Sequence, residues 1–552
     1  MKIKALAYRL ILSGMITLPW TASSQDRSVI QRAMVDEMKR SMNELRLDSL
    51  KKPFYISYTI TDVKVYSMAA TLGALVNSVE GPTRTKGLRV LVGGYEFNDE
   101  SLDNNLFSSP EANEIALPLD NDYIGIRRSL WVTTDKVYRD AARQFEKNTS
   151  MLKDTKKPLA EVPHRTFGKT TPVQINTDWT APEFDKGKWE ENLRQWSARF
   201  IKTDEPNSSV ALTYVHGYEY FVNSEGTSIT VPVANATLRV FCQGKNNGGE
   251  IVFDQASWRG RTPAELPTPD QLHAEITLMI KRVDEMKNAK PFGDEYNGPV
   301  LIEGAVVAQL FDNVLFQGRE QLLYDNAIPN LSGFRADRSN AMDTRLGKSI
   351  ASTLLTVKAV SRLQKYKGVD LPGAYEADQE GVVPPDELVL IEKGTLKNLL
   401  NDRTLTGPNQ TPNGHNAGPG VVHVSLDGSV PQKELKQKLI EQARAEGLEY
   451  ALIVRNNYPS NLGVINVYRV TLATGQEELL RAAEFQSLSL KNLRKLVGSS
   501  EEAVHHLLST AGNGSYNSYI VPQALLLGTV DIQHADIPTF KEEEFVSSPL
   551  KR

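Results

Sequence analysis

Across 552 residues there is one cysteine, Cys242, so no disulfide can close within the chain and stability must come from a buried core. Long apolar runs are missing after the first two dozen residues, and no later segment reads as a membrane span. An excess of basic residues is missing too. The 63 Lys+Arg stand against 67 Asp+Glu, a net charge of −4, without the electrostatic footprint of a nucleic-acid binder. The eight histidines form no H-E-x-x-H or H-E-x-x-x-H, no serine sits in a G-x-S-x-G, and no G-x-x-x-x-G-K-[ST] occurs. As local motifs, the zinc-hydrolase helix, the nucleophile elbow and the P-loop are excluded.

What is there is the composition of a globular protein, 40% hydrophobic and 24% charged, on a chain too long for one ordinary core. Lys2, Lys4 and Arg9 precede an apolar stretch over residues 10–20, which ends in Ala22-Ser23-Ser24. This is the pattern of a secretory signal over residues 1–24, and it predicts a periplasmic or secreted protein beginning at Gln25. The alternative, a membrane anchor, needs an apolar run of ~20 residues, which this is not. Without the signal, 60 Lys+Arg face 67 Asp+Glu, a net charge of −7.

Residues 26–47 predict an amphipathic helix with Ile30, Met34, Met38, Met42 and Leu45 on one face. Residues 54–61 and 87–93 read as strands, 63–79 as a paired strand or two, and 98–122 as a loop. Thr134 is placed to cap a helix running to about residue 152. Another helix carries Trp189, Leu193, Trp196 and Phe200. Residues 210–222 and 229–242 form a hairpin around Asn223-Ser224-Glu225-Gly226-Thr227, and 251–253 follow as a strand. Thr268-Pro269-Asp270-Gln271 is a helix start with a capping box. A domain boundary is expected near Asp294. The reading is α+β with two domains: residues 25–294, an antiparallel sheet with helices, and residues 295–552, richer in strands. In the second half, 350–360, 387–400, 450–454, 463–472, 482–488 and 524–532 read as strands and 435–446 as a helix. Residues 409–420, with two prolines, three glycines and three asparagines, read as a long mobile loop.

The stretch NGPVLIEGAVVAQLFDNVLF, residues 297–316, is the pivot. A turn at Asn297-Gly298-Pro299 should lead into the strand Val300-Leu301-Ile302, and from Gly304 the apolar spacing becomes helical. Such a junction leaves unpaired N–H groups and often hosts chemistry, yet it is followed by nothing that binds a metal or moves a proton. Glu303 is explained by the helix dipole. His415, beside Asn413-Gly414, is either a peptide-binding group or, more simply, an exposed turn histidine. Asp378 and Glu380 are either a working carboxylate pair or, more simply, a solvated turn. Adjacent His505 and His506 should point to different sides of any regular element, and Cys242 reads as a small packed side chain.

Several stretches, in order, resemble the TldD/PmbA family, also called the modulator-of-DNA-gyrase family. They are Thr85-Lys86-Gly87-Leu88-Arg89-Val90, Val222-Asn223-Ser224-Glu225-Gly226, residues 297–316, Leu346-Gly347-Lys348-Ser349-Ile350-Ala351-Ser352, Asp378-Gln379-Glu380-Gly381-Val382, residues 390–403 and Val467-Tyr468-Arg469. The resemblance implies a two-domain fold, pairing into dimers or heterodimers around a chamber, and, in active members, a zinc metallopeptidase acting on unfolded or small peptides. It places the H-E-x-x-x-H histidines at Glu303 and Ala308, the general base at Gly304, and a further cysteine ligand near the C-terminus, where this chain has none. It therefore implies the metal-free branch: no cofactor of its own, zinc only in a catalytic TldD-like partner, or self-pairing. Asp378, Glu380, Asn413 and His415 are then the substrate-facing candidates. Residues 98–206 are atypical of the family. The rival expectations are an enzyme with a non-standard site at Glu303, Glu380 or His415, and a stand-alone peptide-binding module.

Overall fold

The computed structural model describes residues 24–47, 50–102, 116–202, 207–246, 248–293, 295–318, 320–324, 342–407, 410–416, 418–455, 464–508 and 516–536. The signal segment lies outside them except for Ser24, as do residues 103–115 and 203–206 of the atypical stretch. Among the described residues, no helix is long and apolar enough to cross a membrane.

The first half is built on a long hairpin, β1 (Pro53–Thr71) and β2 (Ala74–Val92). The three strand readings at 54–61, 63–79 and 87–93 are thus two strands. The turn between them is Leu72-Gly73, both residues at positive φ (47° and 82°), which suits the right-handed twist of a two-residue hairpin. Leucine there gives no turn signal, so the sequence hid it. β4 (Asn207–Asn223) pairs with β1, and β5 (Ser228–Lys245) pairs with β4. The outer side of β5 takes β3 (Gln174–Asn176) at one end and β6 (Ile251–Gly260) at the other.

Helices cover one face of this sheet from end to end. Ile56, Tyr58 and Ile60 pack with α1 (Ser24–Glu44) and α2 (Tyr123–Thr155), while Tyr66, Met68 and Ala70 share a core with α3 (Lys186–Ser197) and α4 (Pro269–Asn288). Even-numbered residues of one strand share a face, which is why a single alternation serves both cores. α2 does not start at Thr134. Asp122 caps it through Gly125 N at 2.8 Å, and Thr134 is buried mid-helix, donating to Leu130 O (2.7 Å) and lying 2.8 Å from the Tyr58 hydroxyl. α4 begins at Thr268, with Gln271 reaching back to close the capping box.

Among the described residues, the second half has two large sheets. β7 (Tyr296–Glu303) runs parallel to β11 (Tyr450–Val454) and antiparallel to β17 (Ala524–His534). β12 (Val464–Thr471) and β13 (Glu477–Phe485) continue from β11, and β13 pairs back onto β17 at residues 483–485, closing a five-stranded ring, while β14 (Leu496–Ser499) pairs with β17 at residues 525–527. Asn297, Gly298 and Pro299 lie inside β7 and are not a turn. The register slips there between Leu527 and Val530 of β17, and a bulge tolerates a proline. The other sheet runs β9 (Leu388–Glu392), β8 (Leu355–Ala359), β10 (Val421–Leu426), β16 (Tyr516–Pro522), β15 (Glu502–Leu508). β15 and β16 escaped the sequence reading, because EAVHHLL and YNSYIVP mix polar and apolar residues without clean alternation. Between ring and sheet lies α5 (Ala305–Asp312), apolar nearly all round, with Val306, Val307, Ala308, Leu310 and Phe311 buried. α6 (Gln432–Ala445) closes the ring's outer side through Leu435 and Leu439.

The Thr268 cap can be tested directly. Thr268→Ala should lower unfolding stability by about 1 kcal/mol, read as a shift in urea midpoint at unchanged slope, with Thr268→Ser close to neutral.

Candidate functional site

β7 enters α5 through Gly304, whose φ of 69° and ψ of −142° fall in a region essentially closed to side-chain-bearing residues. A Cβ there would meet nothing within 4 Å, so the constraint is the backbone itself. Gly304 N donates to Gln523 O at 2.8 Å, which holds the bend in place. Glu303, one residue earlier, is ion-paired with Arg455 (Nε to Oε2, 2.7 Å), and Arg455 also holds Glu477. Ala308 is fully buried in the core shared by ring and sheet.

Beside this junction is a cavity of about 650 Å³ between the two halves of the chain. α5 contributes Ala305 and Gln309, β6 contributes Trp258 and Arg259, and β15 contributes His505 and His506. Each of β6 and β15 is the last strand of its sheet among the described strands, so two sheet edges border one cavity. As expected of neighbours on a strand, their side chains part: His505 lies opposite Tyr519, whose hydroxyl reaches Asp312 of α5, and His506 lies opposite Ser518 and turns its backbone O to Arg259. His506 Nδ1 lies 3.0 Å from the Ser518 hydroxyl, and burial, then His505 and Arg259, push it down to about 4. Burial lowers His505 also, so both rings are neutral at physiological pH.

Asp378, Glu380, Asn413 and His415 do not line this cavity. Nor are they solvated turn groups: Asp378, Glu380 and His415 are 7%, 7% and 2% exposed. His415 lies between Asn413 Oδ1 (2.9 Å from Nδ1) and the Ser361 hydroxyl (3.0 Å from Nε2), and burial drives it down to about 4. The neutral ring donates from Nδ1 to Asn413. The loop expected to be mobile is packed where described. Tyr375 donates to Gly414 O and Gly418 O, and Asn413 bridges Leu399 O and Asn401 N.

Of the four, Glu380 belongs to a buried polar network joining the halves. Arg403, fully buried, makes a two-pronged pair with Glu225 (both 2.7 Å), donates Nε to Gly168 O (2.9 Å), and stacks 4.0 Å over Phe167. Glu380 accepts from Arg403 N (2.7 Å) and pairs with Arg89, which also holds Glu100. Asp378 accepts from the backbone N–H groups of Glu380, Val382 and Asn416 (2.9, 2.9 and 3.1 Å). Burial, then the neighbouring Glu380, pushes Asp378 up to about 7 despite those donors. Arg89, Glu225, Glu380 and Arg403 come from four of the stretches that carried the family resemblance. Their meeting point could not be seen from chain positions far apart. Arg259, His505 and Gln309 were missed as site residues for the same reason.

Residues 295–448 match the family model of the PmbA/TldA metallopeptidase C-terminal domain. Over that stretch the chain is similar to the TldD/PmbA family. No curated protein sequence matches it. Among solved structures, a candidate modulator of DNA gyrase from Bacteroides thetaiotaomicron is similar at TM-score 0.56 and 12% identity, with 93% of this chain and 100% of that one covered. A candidate modulator of DNA gyrase from Thermotoga maritima gives 0.55 and 11%, covering 92% and 99%. TldE from Thermococcus kodakarensis gives 0.53 and 12%, covering 91% and 100%. At these identities the likeness is one of fold, and it extends the TldD/PmbA architecture over most of the chain.

The zinc that the family implies does not fit the junction. Glu303 is bound to a guanidinium, Gly304 has a backbone closed to a glutamate, and Ala308 presents a methyl group to the core. Cys242 is buried in the other half, under α3 and α4. Among the described residues, no three of His, Cys, Asp and Glu gather as a metal site.

Two outcomes test the network. Glu225→Gln strands a buried guanidinium and should cost about 3–5 kcal/mol in urea unfolding. For Asp378 the folded pKa lies above the unfolded value of ~3.9. Its contribution to stability is therefore whole below that value and is lost as pH climbs through about 7. Urea midpoints of the native protein should thus fall relative to Asp378→Asn between about pH 5 and about pH 8, whereas a constant difference would refute the raised pKa.

Proposed function

We propose that this chain is an exported, non-catalytic subunit of the TldD/PmbA kind, which completes the peptide-binding chamber of a zinc metallopeptidase partner. The observation carrying this reading is the junction: where the resemblance puts a zinc ligand, Glu303 is engaged by Arg455, and the following backbone admits glycine only. Export rests on the signal-like residues 1–24, and a periplasmic or secreted location follows from it. Unfolded or small peptides are the ligands that suit the cavity, since an extended chain can add as a strand to the edge of β6 or β15. Backbone hydrogen bonds of that kind give affinity with little dependence on side chains. Glu380 then acts behind the chamber, pairing with Arg89 to hold the halves in register, while Asp378, Asn413 and His415 brace the second half's own loops and do not act on the peptide.

Tagged protein expressed in its source organism should co-purify with a relative that carries an intact H-E-x-x-x-H, and the chain purified alone should hold well under one zinc per molecule. A homodimer alone, with stoichiometric zinc and chelator-sensitive peptide cleavage, would overturn the proposal.

A further inference from the structure

Three charged side chains line the cavity: Arg259, Glu265 and Glu275. Both acids are already committed. Glu265 accepts from Arg261 N (2.9 Å) and from Thr262 N (3.1 Å) in a capping box, and Glu275 is paired with Arg282 at 2.6 Å. Arg259 is different. It is partly buried, and among the described residues no carboxylate pairs with it. Its Nη1 donates to His506 O at 2.8 Å, and its guanidinium lies 5.3 Å from the Tyr516 ring centre. A guanidinium has five N–H donors in a planar fork, so donors remain for a ligand. Burial lowers its pKa and only Tyr516 opposes this, while Arg239 adds to it. In the same cavity, His505 Nε2 is buried without a hydrogen-bond partner. A desolvated cation lacking an acid, beside an unmet imidazole nitrogen, is a costly arrangement for a protein to keep empty.

We propose that Arg259 is a carboxylate anchor: it pairs with a carboxylate of an extended peptide lying between the edges of β6 and β15, and His505 supplies a neighbouring hydrogen bond. The inference rests on the peptide-chamber reading and adds a ligand class to it. Two sources share this chemistry, the free C-terminus of a peptide and an Asp or Glu side chain. The rest of the cavity suits either, because Gln255, Ser257, Gln271 and Gln309 offer neutral polar groups along its walls.

Calorimetric titration of the purified full-length chain tests it with three N-acetylated hexapeptides rich in Val and Thr. One ends in a free carboxylate, one is C-amidated, and one is amidated with a single internal Glu. The free acid should bind about tenfold to a hundredfold more tightly than the plain amide, the range for a charge-assisted bond. Arg259→Gln should reduce the free acid to the level of the amide and leave the amide unchanged, with Arg259→Lys intermediate because it keeps the charge and loses the fork. If the internal-Glu amide matches the free acid, the anchor takes a side chain; if it matches the plain amide, the anchor takes a chain end. Equal binding of acid and amide to the native protein would overturn the anchor and leave the peptide chamber standing, and that comparison needs no variant to fold. Absence of binding by all three peptides would remove the chamber reading and the anchor with it.

Discussion

The arrangement of the molecule hangs on the burial of one guanidinium. Arg403 leaves the second half, crosses into the first and ends against Glu225, in the turn between β4 and β5. Taking a charge out of water costs several kcal/mol, and only a complete set of partners offsets it. Glu225, Gly168 O and the faces of Phe167 and Tyr55 supply that set at one position of the two halves. A slide of a few ångströms would leave a buried charge unpaired. The pair therefore acts less as a source of stability than as a register mark, and Arg89 with Glu380 repeats the device alongside it. With the halves held in this way, the edges of β6 and β15 face a common cavity.

The junction of β7 and α5 separates architecture from chemistry. A strand in a closed ring runs into a helix buried among apolar neighbours, within an overall fold shared with solved structures at 11–12% identity. Packing demands only apolar groups of suitable volume, and many sequences supply them. Chemistry demands particular side chains at particular positions, and here Glu303, Gly304 and Ala308 supply an ion pair, a bend and a core methyl. Function is decided at such positions and not by the fold as a whole.

Local signals read from the sequence held where a few adjacent residues satisfy one another. The Thr268 capping box closes with its own Gln271, the 223–227 turn folds on Asn223, and the strand at 300–302 bends into a helix at Gly304. They failed where distant groups intervened. Thr134 looks like a cap until Tyr58 meets it from another element, and Glu380 looks exposed until Arg89 of the first half pairs with it, while Asp378 and His415 are buried by groups of their own half that lie apart in sequence. Leu72-Gly73 failed differently, since a long two-stranded ribbon imposed a turn that leucine does not announce.

By itself, the sequence determined the class of the fold and the family likeness, because periodicity, caps and motifs depend on neighbours within a few residues. Only the tertiary structure decided which polar groups are buried and which face a ligand. Arg403 and Arg259 are both arginines on polar stretches. One is fully enclosed with a carboxylate and the other borders a cavity without one, because burial and charge pairing are set by what the rest of the chain brings alongside.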